Sequence, residues 1–162
     1  MTDTQSMVRK PDVKKLSNEL TYRRYLMSRG KDNRIFRKIT IPEYIALYFI
    51  SSENTASGGA PEKVYLKTLA ERMQLEIYQV SKMAGELKDR GLIVWSHDGN
   101  GSQGTYVIIT ETGQKLLHEQ EEILKEYYGR VIEQFGEENL IDLLQKMRHL
   151  ENVMREVAEK EC

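Results

Sequence analysis

The stretch that decides the fold is LKTLAERMQLEIYQVSKMAGELKDRGLI, Leu66–Ile93. Apolar residues recur at helical spacing over its first eight positions, and a polar break at residues 74–76 ends that short helix. In a second helix, at about residues 76–90, the apolar residues recur at i, i+3, i+4 and i+7: Val80, Met83, Ala84 and Leu87. Gly91 follows, where a residue with positive φ commonly ends a helix. The stretch therefore predicts two short helices joined by a tight turn.

The segment directly after these helices, at about residues 93–110, predicts a β-hairpin. Two runs rich in β-forming residues, LIVWS and TYVIIT, flank the glycine-rich tip HDGNGSQG. Two helices with a tight turn, followed at once by a hairpin, make a winged helix-turn-helix. We expect a mainly α protein with a small β-hairpin wing, in which residues 39–110 form this domain and the second helix is the reading helix.

Upstream of this stretch the sequence predicts two more helices. Thr40 as N-cap, Pro42 in the first turn and Glu43 three residues after the cap form a capping box, which starts a largely buried helix. Residues 12–38 hold an earlier helical stripe that includes Val13, Leu16 and Leu20. Residues 1–11 are expected to form a flexible arm.

Downstream, residues 111–162 are helical in composition and interrupted at Gly136. After that glycine, apolar residues alternate steps of three and four in a heptad seam: Leu140, Leu143, Met147, Leu150, Met154 and Val157. Because neither terminal region buries its stripe alone, we expect 12–38 and 111–162 to form the dimerisation region of a twofold homodimer. The alternative, an intramolecular bundle, would leave the seam partly exposed.

Composition narrows the classes of function. The longest apolar run, residues 45–50, is too short to cross a bilayer, and no signal peptide is visible, so we expect a cytoplasmic protein associated with the nucleoid. The single cysteine, Cys162, excludes an internal disulfide, and the three histidines are scattered, so we expect no metal site. We find no nucleophile with a base at recognisable spacing and no phosphate loop, so we expect neither an enzyme nor a cofactor.

A net charge of −1 hides a strong asymmetry along the chain. Residues 1–40 hold 11 Lys+Arg against 4 Asp+Glu, whereas residues 111–162 hold 7 against 13. A basic front and an acidic tail can orient a protein on a polyanion even when the total charge is near zero.

The order and spacing of three motifs resemble the MarR (multiple antibiotic resistance regulator) family of bacterial transcription factors. ITIPEYIAL is similar to its Thr-x-x-Gln/Glu-aromatic helix start, Leu66–Ile93 to its helix-turn-helix, and ITETGQKLL to its Thr-Glu-x-Gly after the wing. The resemblance covers about residues 16–157. It implies a homodimeric repressor that binds an inverted-repeat operator and is released by a small, possibly aromatic, effector.

On this reading, double-stranded DNA contacts the face of the reading helix opposite its apolar stripe. Glutamine reads adenine bidentately, lysine reaches guanine or phosphate, and tyrosine or serine binds phosphate or packs against a thymine methyl. The predicted DNA contacts comprise this face, the preceding helix and the wing tip: Tyr78, Gln79, Ser81, Lys82, Lys67, Thr68, Asn100, Ser102 and Gln103.

The wing departs from the resembled family. That family usually carries an Asp-x-Arg pattern whose arginine enters the minor groove, whereas this hairpin keeps Asp98 and has no lysine or arginine. The tip either lies along the DNA backbone through small polar groups or is merely a flexible loop. We expect the binding charge to come from other cations: Arg9, Lys10, Lys14, Lys15, Lys63, Lys67, Arg72, Lys82, Lys88 and Arg90. For the four N-terminal ones, residues 9–15, solvation of an ordinary helix end is favoured over DNA contact.

The resemblance also implies an effector pocket between the dimer-forming helices and the DNA-binding lobe. Aromatic faces and a basic partner for a carboxylate are available there: Tyr22, Tyr25, Arg29, Tyr44 and Tyr48. For each tyrosine taken singly, ordinary core packing is the favoured interpretation. The alternative function is a winged-helix module that binds protein without sequence-specific DNA binding, for which the arginine-free wing would be the first sign.

Overall fold

The computed structural model describes residues 12–28, 35–55, 63–99, 101 and 104–161. Within these residues, six helices and three strands follow in the order α1 Val13–Ser28, α2 Ile41–Thr55, β1 Val64–Tyr65, α3 Leu66–Met73, α4 Ile77–Asp89, β2 Ile93–His97, β3 Thr105–Ile109, α5 Glu111–Phe135 and α6 Glu137–Lys160. The predicted fold class, a mainly α winged helix-turn-helix, is confirmed. Within the described ranges no helix is long and apolar enough to cross a membrane, and no three His, Cys, Asp or Glu side chains cluster as a metal site would require.

The chain forms two compact units, Met1–Arg37 and Lys38–Cys162. In the first unit, α1 buries none of its residues. Its predicted stripe is exposed, with Val13 at 68% and Leu16 at 59% of their full accessible surface. A 16-residue amphipathic helix without tertiary burial is marginal in water, so this stripe needs a covering surface.

The core of the second unit lies between α2, the helix-turn-helix and the inner face of the sheet. Each of these elements contributes fully or almost fully buried side chains: Leu47, Ile50, Leu69, Val80, Leu87, Ile93 and Val107. The apolar stripe of α4 faces this core, as its spacing predicts. Burial of this stripe fixes which side of α4 remains available to a partner.

The boundaries of the helices follow local signals in the sequence. At the start of α2, the Glu43 carboxylate accepts the Thr40 N–H at 3.0 Å and the Thr40 hydroxyl accepts the Glu43 N–H at 3.3 Å, which is the predicted capping box. At the end of α3, Gln74 is left-handed at φ 55° and Leu75 N–H bonds to the Ala70 carbonyl at 3.0 Å. This left-handed residue makes the tight turn into α4.

The sheet has the strand order β1-β3-β2, with both pairs antiparallel. The hairpin of β2 and β3 confirms the predicted wing, and Trp95 pairs with Val107 in its register. Strand β1 was not predicted, because two residues are too few to show a period. It pairs with β3 of the wing and leads directly into α3.

Helix α5 begins in close contact with the first strand of the wing. The Thr110 hydroxyl accepts the Gly113 N–H at 3.0 Å and donates to the Gly91 carbonyl at 2.7 Å. A Cβ at Gly113 would lie 2.1 Å from the Leu92 carbonyl oxygen. Glycine is therefore required at this position by the approach of two backbones, which explains the Thr-Glu-x-Gly motif physically.

Helix α6 follows Gly136, whose φ of 95° breaks the helix where the sequence predicts. No residue of α6 is buried. Within the predicted seam, Leu140 and Met147 are half-buried, whereas the other four side chains are 40–51% exposed: Leu143, Leu150, Met154 and Val157. The seam thus exists as an apolar face in one copy of the chain, and its role in a dimer stays a prediction.

Candidate nucleic-acid interface

The N-terminal part of α4 presents the predicted contact face to solvent. Tyr78 is 68% exposed, Gln79 and Lys82 are exposed, and Ser81 is half-buried. Ile77 is also 48% exposed at the first position of the helix. The sequence reading missed Ile77 because an apolar residue beside an apolar stripe is assigned to the core by default, although apolar contacts can read a thymine methyl.

The start of α4 uses Gln79 for its own stability. Glu76 is the N-cap residue, and its backbone N–H donates to the Gln79 Oε1 at 2.9 Å in a capping box. Bidentate reading of adenine needs both the amide oxygen and the amide nitrogen of a glutamine. The amide oxygen of Gln79 accepts the Glu76 N–H in this structure. The amide nitrogen is therefore the group of this side chain that can donate to a base.

Helix α3 adds a second exposed group of predicted contacts. Lys67 and Thr68 are exposed in its first turn, directly after β1. Two further cations stack on aromatic rings: Arg72 lies 4.9 Å from the Phe49 ring centroid, and the Lys63 Nζ lies 4.8 Å from that of Tyr106. Such stacking leaves the positive charge in place while it restricts where the side chain reaches.

Arg90, the C-cap residue of α4, has an intramolecular role that the sequence does not reveal. Its Nη1 lies 3.1 Å from the Glu43 Oε2, and its Nη2 donates to the Lys38 carbonyl. Arg90 is thus paired within the protein, and its part in supplying binding charge to DNA stays a prediction. The signal was absent from the sequence because Arg90 and Glu43 are 47 positions apart.

The wing is bonded to β1 through the aspartate that it retains. The Tyr65 hydroxyl donates to the Asp98 Oδ2 at 2.8 Å, and this hydrogen bond raises the pKa of Tyr65. The Asp98 N–H bonds in turn to the Gly104 carbonyl at 3.0 Å. The predicted wing contacts Asn100, Ser102 and Gln103 lie outside the described residues.

His97 organises the described part of the wing tip. Its Nδ1 accepts the Gly99 N–H at 2.9 Å, and its Nε2 contacts the Gly101 carbonyl oxygen. Because Nδ1 accepts an N–H, Nε2 is the ring nitrogen that can donate to the Gly101 carbonyl. The side chain thus binds the backbone of its own hairpin, and Gly99 and Gly101 both have positive φ there.

The predicted effector residues are distributed over the two compact units. In the first unit, Tyr22 and Tyr25 are 52% and 54% exposed on α1, and Arg29 lies outside the described residues. In the second, Tyr48 is 46% exposed and Tyr44 is half-buried. Burial raises the pKa of Tyr44, with smaller contributions from Glu121 and Tyr48, so its phenol stays a neutral donor at physiological pH.

The fold and the exposed face of α4 define the class: this is a winged helix-turn-helix protein. It shares its fold with a MarR-family transcriptional regulator from Rhodococcus sp. RHA1, at 19% identity over 87% of this chain and 96% of that one, with a TM-score of 0.68. NMB1585, a MarR-family regulator from Neisseria meningitidis, matches at 18% identity over 94% and 100% of the two chains, with a TM-score of 0.67.

A third match is BpsR from Bordetella bronchiseptica, whose DNA binding is regulated by 6-hydroxynicotinic acid. It is 16% identical over 83% of this chain and 91% of its own, with a TM-score of 0.66. No family model matches the sequence, and no match is found among curated proteins. The resemblance to the MarR family is thus confirmed at the level of the fold.

Proposed function

We propose that this protein is a homodimeric transcriptional repressor that binds an inverted-repeat DNA operator and is released by a small aromatic effector. The observation that carries the proposal is the exposed N-terminal face of α4, with Tyr78 and Lys82 on a helix whose opposite side is locked into the core. That arrangement delivers side chains of one short helix to the base edges of a major groove.

The dimer is supported by apolar surface that one copy of the chain leaves uncovered. Helix α6 has 24 residues, none of them buried, and four of its seam side chains are 40–51% exposed. The second half of α5 adds large exposed side chains to the same compact unit: Ile123, Tyr127, Tyr128, Val131 and Phe135. A soluble monomer rarely exposes so much apolar surface, and a twofold partner would cover it.

Small-molecule release is supported by the tyrosines and by analogy. Tyr44, a half-buried phenol, can donate a hydrogen bond to the carboxylate or hydroxyl of an aromatic acid, and Tyr48 offers a ring face. BpsR, which shares the fold, is regulated by such an acid. An effector changes DNA affinity by its differential affinity for the two states of the dimer.

The arginine-free wing favours a second candidate, a module that binds a protein partner. Residues 91–110 contain no lysine or arginine. In the described part of the tip, His97 and Asp98 form hydrogen bonds within the protein. This candidate predicts DNA binding that is weak and independent of sequence.

The deciding experiment is selection of binding sites from a pool of random DNA duplexes, followed by affinity measurements at several salt concentrations. We expect one enriched inverted repeat, with half-sites about 10 base pairs apart, whose affinity falls steeply as salt rises. Lys82→Ala should weaken binding to it about tenfold, whereas Lys115→Ala, at an exposed position of α5, should not. No enriched sequence, or equal loss in both variants, would favour the protein-binding module.

A further inference from the structure

Arg90 joins the C-terminal end of α4 to the start of α2. It is the last residue before Gly91, whose φ of 73° ends the helix, and Leu92 N–H closes the end by bonding to the Leu87 carbonyl at 3.0 Å. From this fixed position one guanidinium reaches two acceptors, the Glu43 carboxylate at 3.1 Å and the Lys38 carbonyl. Only arginine presents two donors in a planar fork of this kind.

The Glu43 carboxylate, which accepts from Arg90, is itself fixed by a second hydrogen bond. The Glu43 side chain is only 12% exposed, and its second oxygen accepts the Thr40 N–H at 3.0 Å as part of the capping box. The same carboxylate therefore stabilises the start of α2 and receives the end of α4. Lys38, whose carbonyl binds Arg90, also places its Nζ 3.4 Å from Glu119 of α5.

The orientation of α4 needs such a contact because its core packing is apolar. Apolar burial is non-directional and tolerates small tilts of a helix. A guanidinium that donates to two acceptors at once does not tolerate them, because charge-assisted hydrogen bonds depend on direction. The proposed base-contacting residues Tyr78 and Lys82 lie about 18 and 12 Å from Arg90 along the helix axis, at 1.5 Å per residue. A tilt of roughly 10° about the C-terminal end would move them by about 2–3 Å, which approaches a hydrogen-bond length.

We propose that Arg90 is a positioning residue for sequence reading: through Glu43 and the Lys38 carbonyl it fixes the tilt of α4, and it does not contact DNA itself. The inference rests on the proposed function. It separates two kinds of cation near the helix-turn-helix, since Lys82 acts on DNA directly and Arg90 acts through the protein.

The test compares Arg90→Ala with Lys115→Ala, which removes the same charge from an exposed position of α5 outside the proposed DNA-contacting set. Affinity is measured for the duplex selected by the wild-type protein and for a scrambled duplex of equal length, across a range of salt. We expect Arg90→Ala to lose at least about tenfold in the ratio of the two affinities, with an unchanged salt slope. A lost phosphate contact would instead lower the slope by about 0.9.

Two further variants separate positioning from general destabilisation. Arg90→Lys keeps the charge but not the fork, so we expect it to lose selectivity as well. Glu43→Gln should lose selectivity although it is remote from the reading face, and the double variant Arg90→Ala with Glu43→Gln should lose little more than either single variant. Partial unfolding would lower both affinities together and appear in the thermal melting curve.

Each outcome has one meaning. A reduced ratio with an unchanged slope supports the inference. A wild-type ratio in Arg90→Ala, a reduced slope, or an additive double variant overturns it and leaves the proposed function intact. A wild-type protein that selects no sequence removes the proposed function, and the positioning role with it.

Discussion

At the scale of single residues, Gln79 shows how one side chain serves both the fold and the interface. Its amide oxygen accepts the Glu76 N–H at the start of α4, while its exposed position places the amide among the groups proposed to face DNA. A glutamine supplies an acceptor for the cap and donors for a base, and few side chains offer both. The two roles can be separated by a glutamate at this position, because its carboxylate still accepts the cap N–H but has no N–H to donate to a base.

We expect Gln79→Glu to keep or raise stability while it weakens DNA binding. The new carboxylate still accepts the Glu76 N–H and interacts favourably with the helix dipole, worth up to about 1 kcal/mol. The added negative charge repels the DNA phosphates, and the lost N–H groups no longer donate to a base, so operator affinity should fall at least about tenfold. Thermal melting and operator titration on the same sample check both parts.

The control is Gln79→Ala, which removes the cap and the donors together. It should lose about 1 kcal/mol of stability as well as affinity. If Gln79→Glu bound the selected duplex as well as the wild type does, the side chain would have no part in reading.

At the level of secondary structure, the sequence predicted the helices and strands that carry a periodic apolar stripe or a capping signal. The helices of the helix-turn-helix, the α2 capping box and the hairpin all lie where local patterns placed them. Strand β1 and the contact of Arg90 with Glu43 were not predictable, because each depends on residues brought together by the tertiary fold. The exposed face of α4 was predictable because burial of one side of a helix defines the other.

Glycine at the start of α5 provides a test of how two elements pack. We expect Gly113→Ala to destabilise the protein by about 3 kcal/mol, because the new methyl group would lie 2.1 Å from the Leu92 carbonyl oxygen and the backbone would have to move. The measurement is the free energy of unfolding in urea.

Gly85→Ala is the matched control for this variant. It also places alanine in a helix, but its Cβ would meet nothing within 4 Å. Since alanine has the higher helix propensity, Gly85→Ala should stabilise by up to about 1 kcal/mol. Equal effects of the two substitutions would contradict the close approach at Gly113.

At the scale of the whole molecule, charge and apolar surface are segregated along the chain. The acidic tail segment, residues 111–162, contains α6 with its uncovered seam, whereas the proposed DNA contacts lie before it. Such a division separates the acidic segment from the proposed DNA contacts along the sequence. The sequence predicted this seam, and its role in a dimer stays a prediction.

We expect Leu150→Glu to convert a dimer into monomers. Leu150 is 40% exposed in the seam, and a charge buried without a partner costs about 3–5 kcal/mol. Sedimentation over a range of protein concentrations measures the change in dissociation constant. Gln145→Glu introduces the same charge at an exposed polar position of α6 and should leave the dimer unchanged. A wild-type protein that sediments as a monomer would contradict the proposed assembly.

The hydroxyl of Thr110 has a practical consequence for building chimaeric proteins. Because it binds the Gly91 carbonyl and the Gly113 N–H at once, the end of α4, the wing and the start of α5 share one joint. A chimaera that grafts this winged helix-turn-helix lobe onto foreign terminal helices by cutting at residue 110 would split that joint. Glu119 of α5 also contacts Lys38, so the transplantable piece extends past this residue and the splice belongs in the second half of α5.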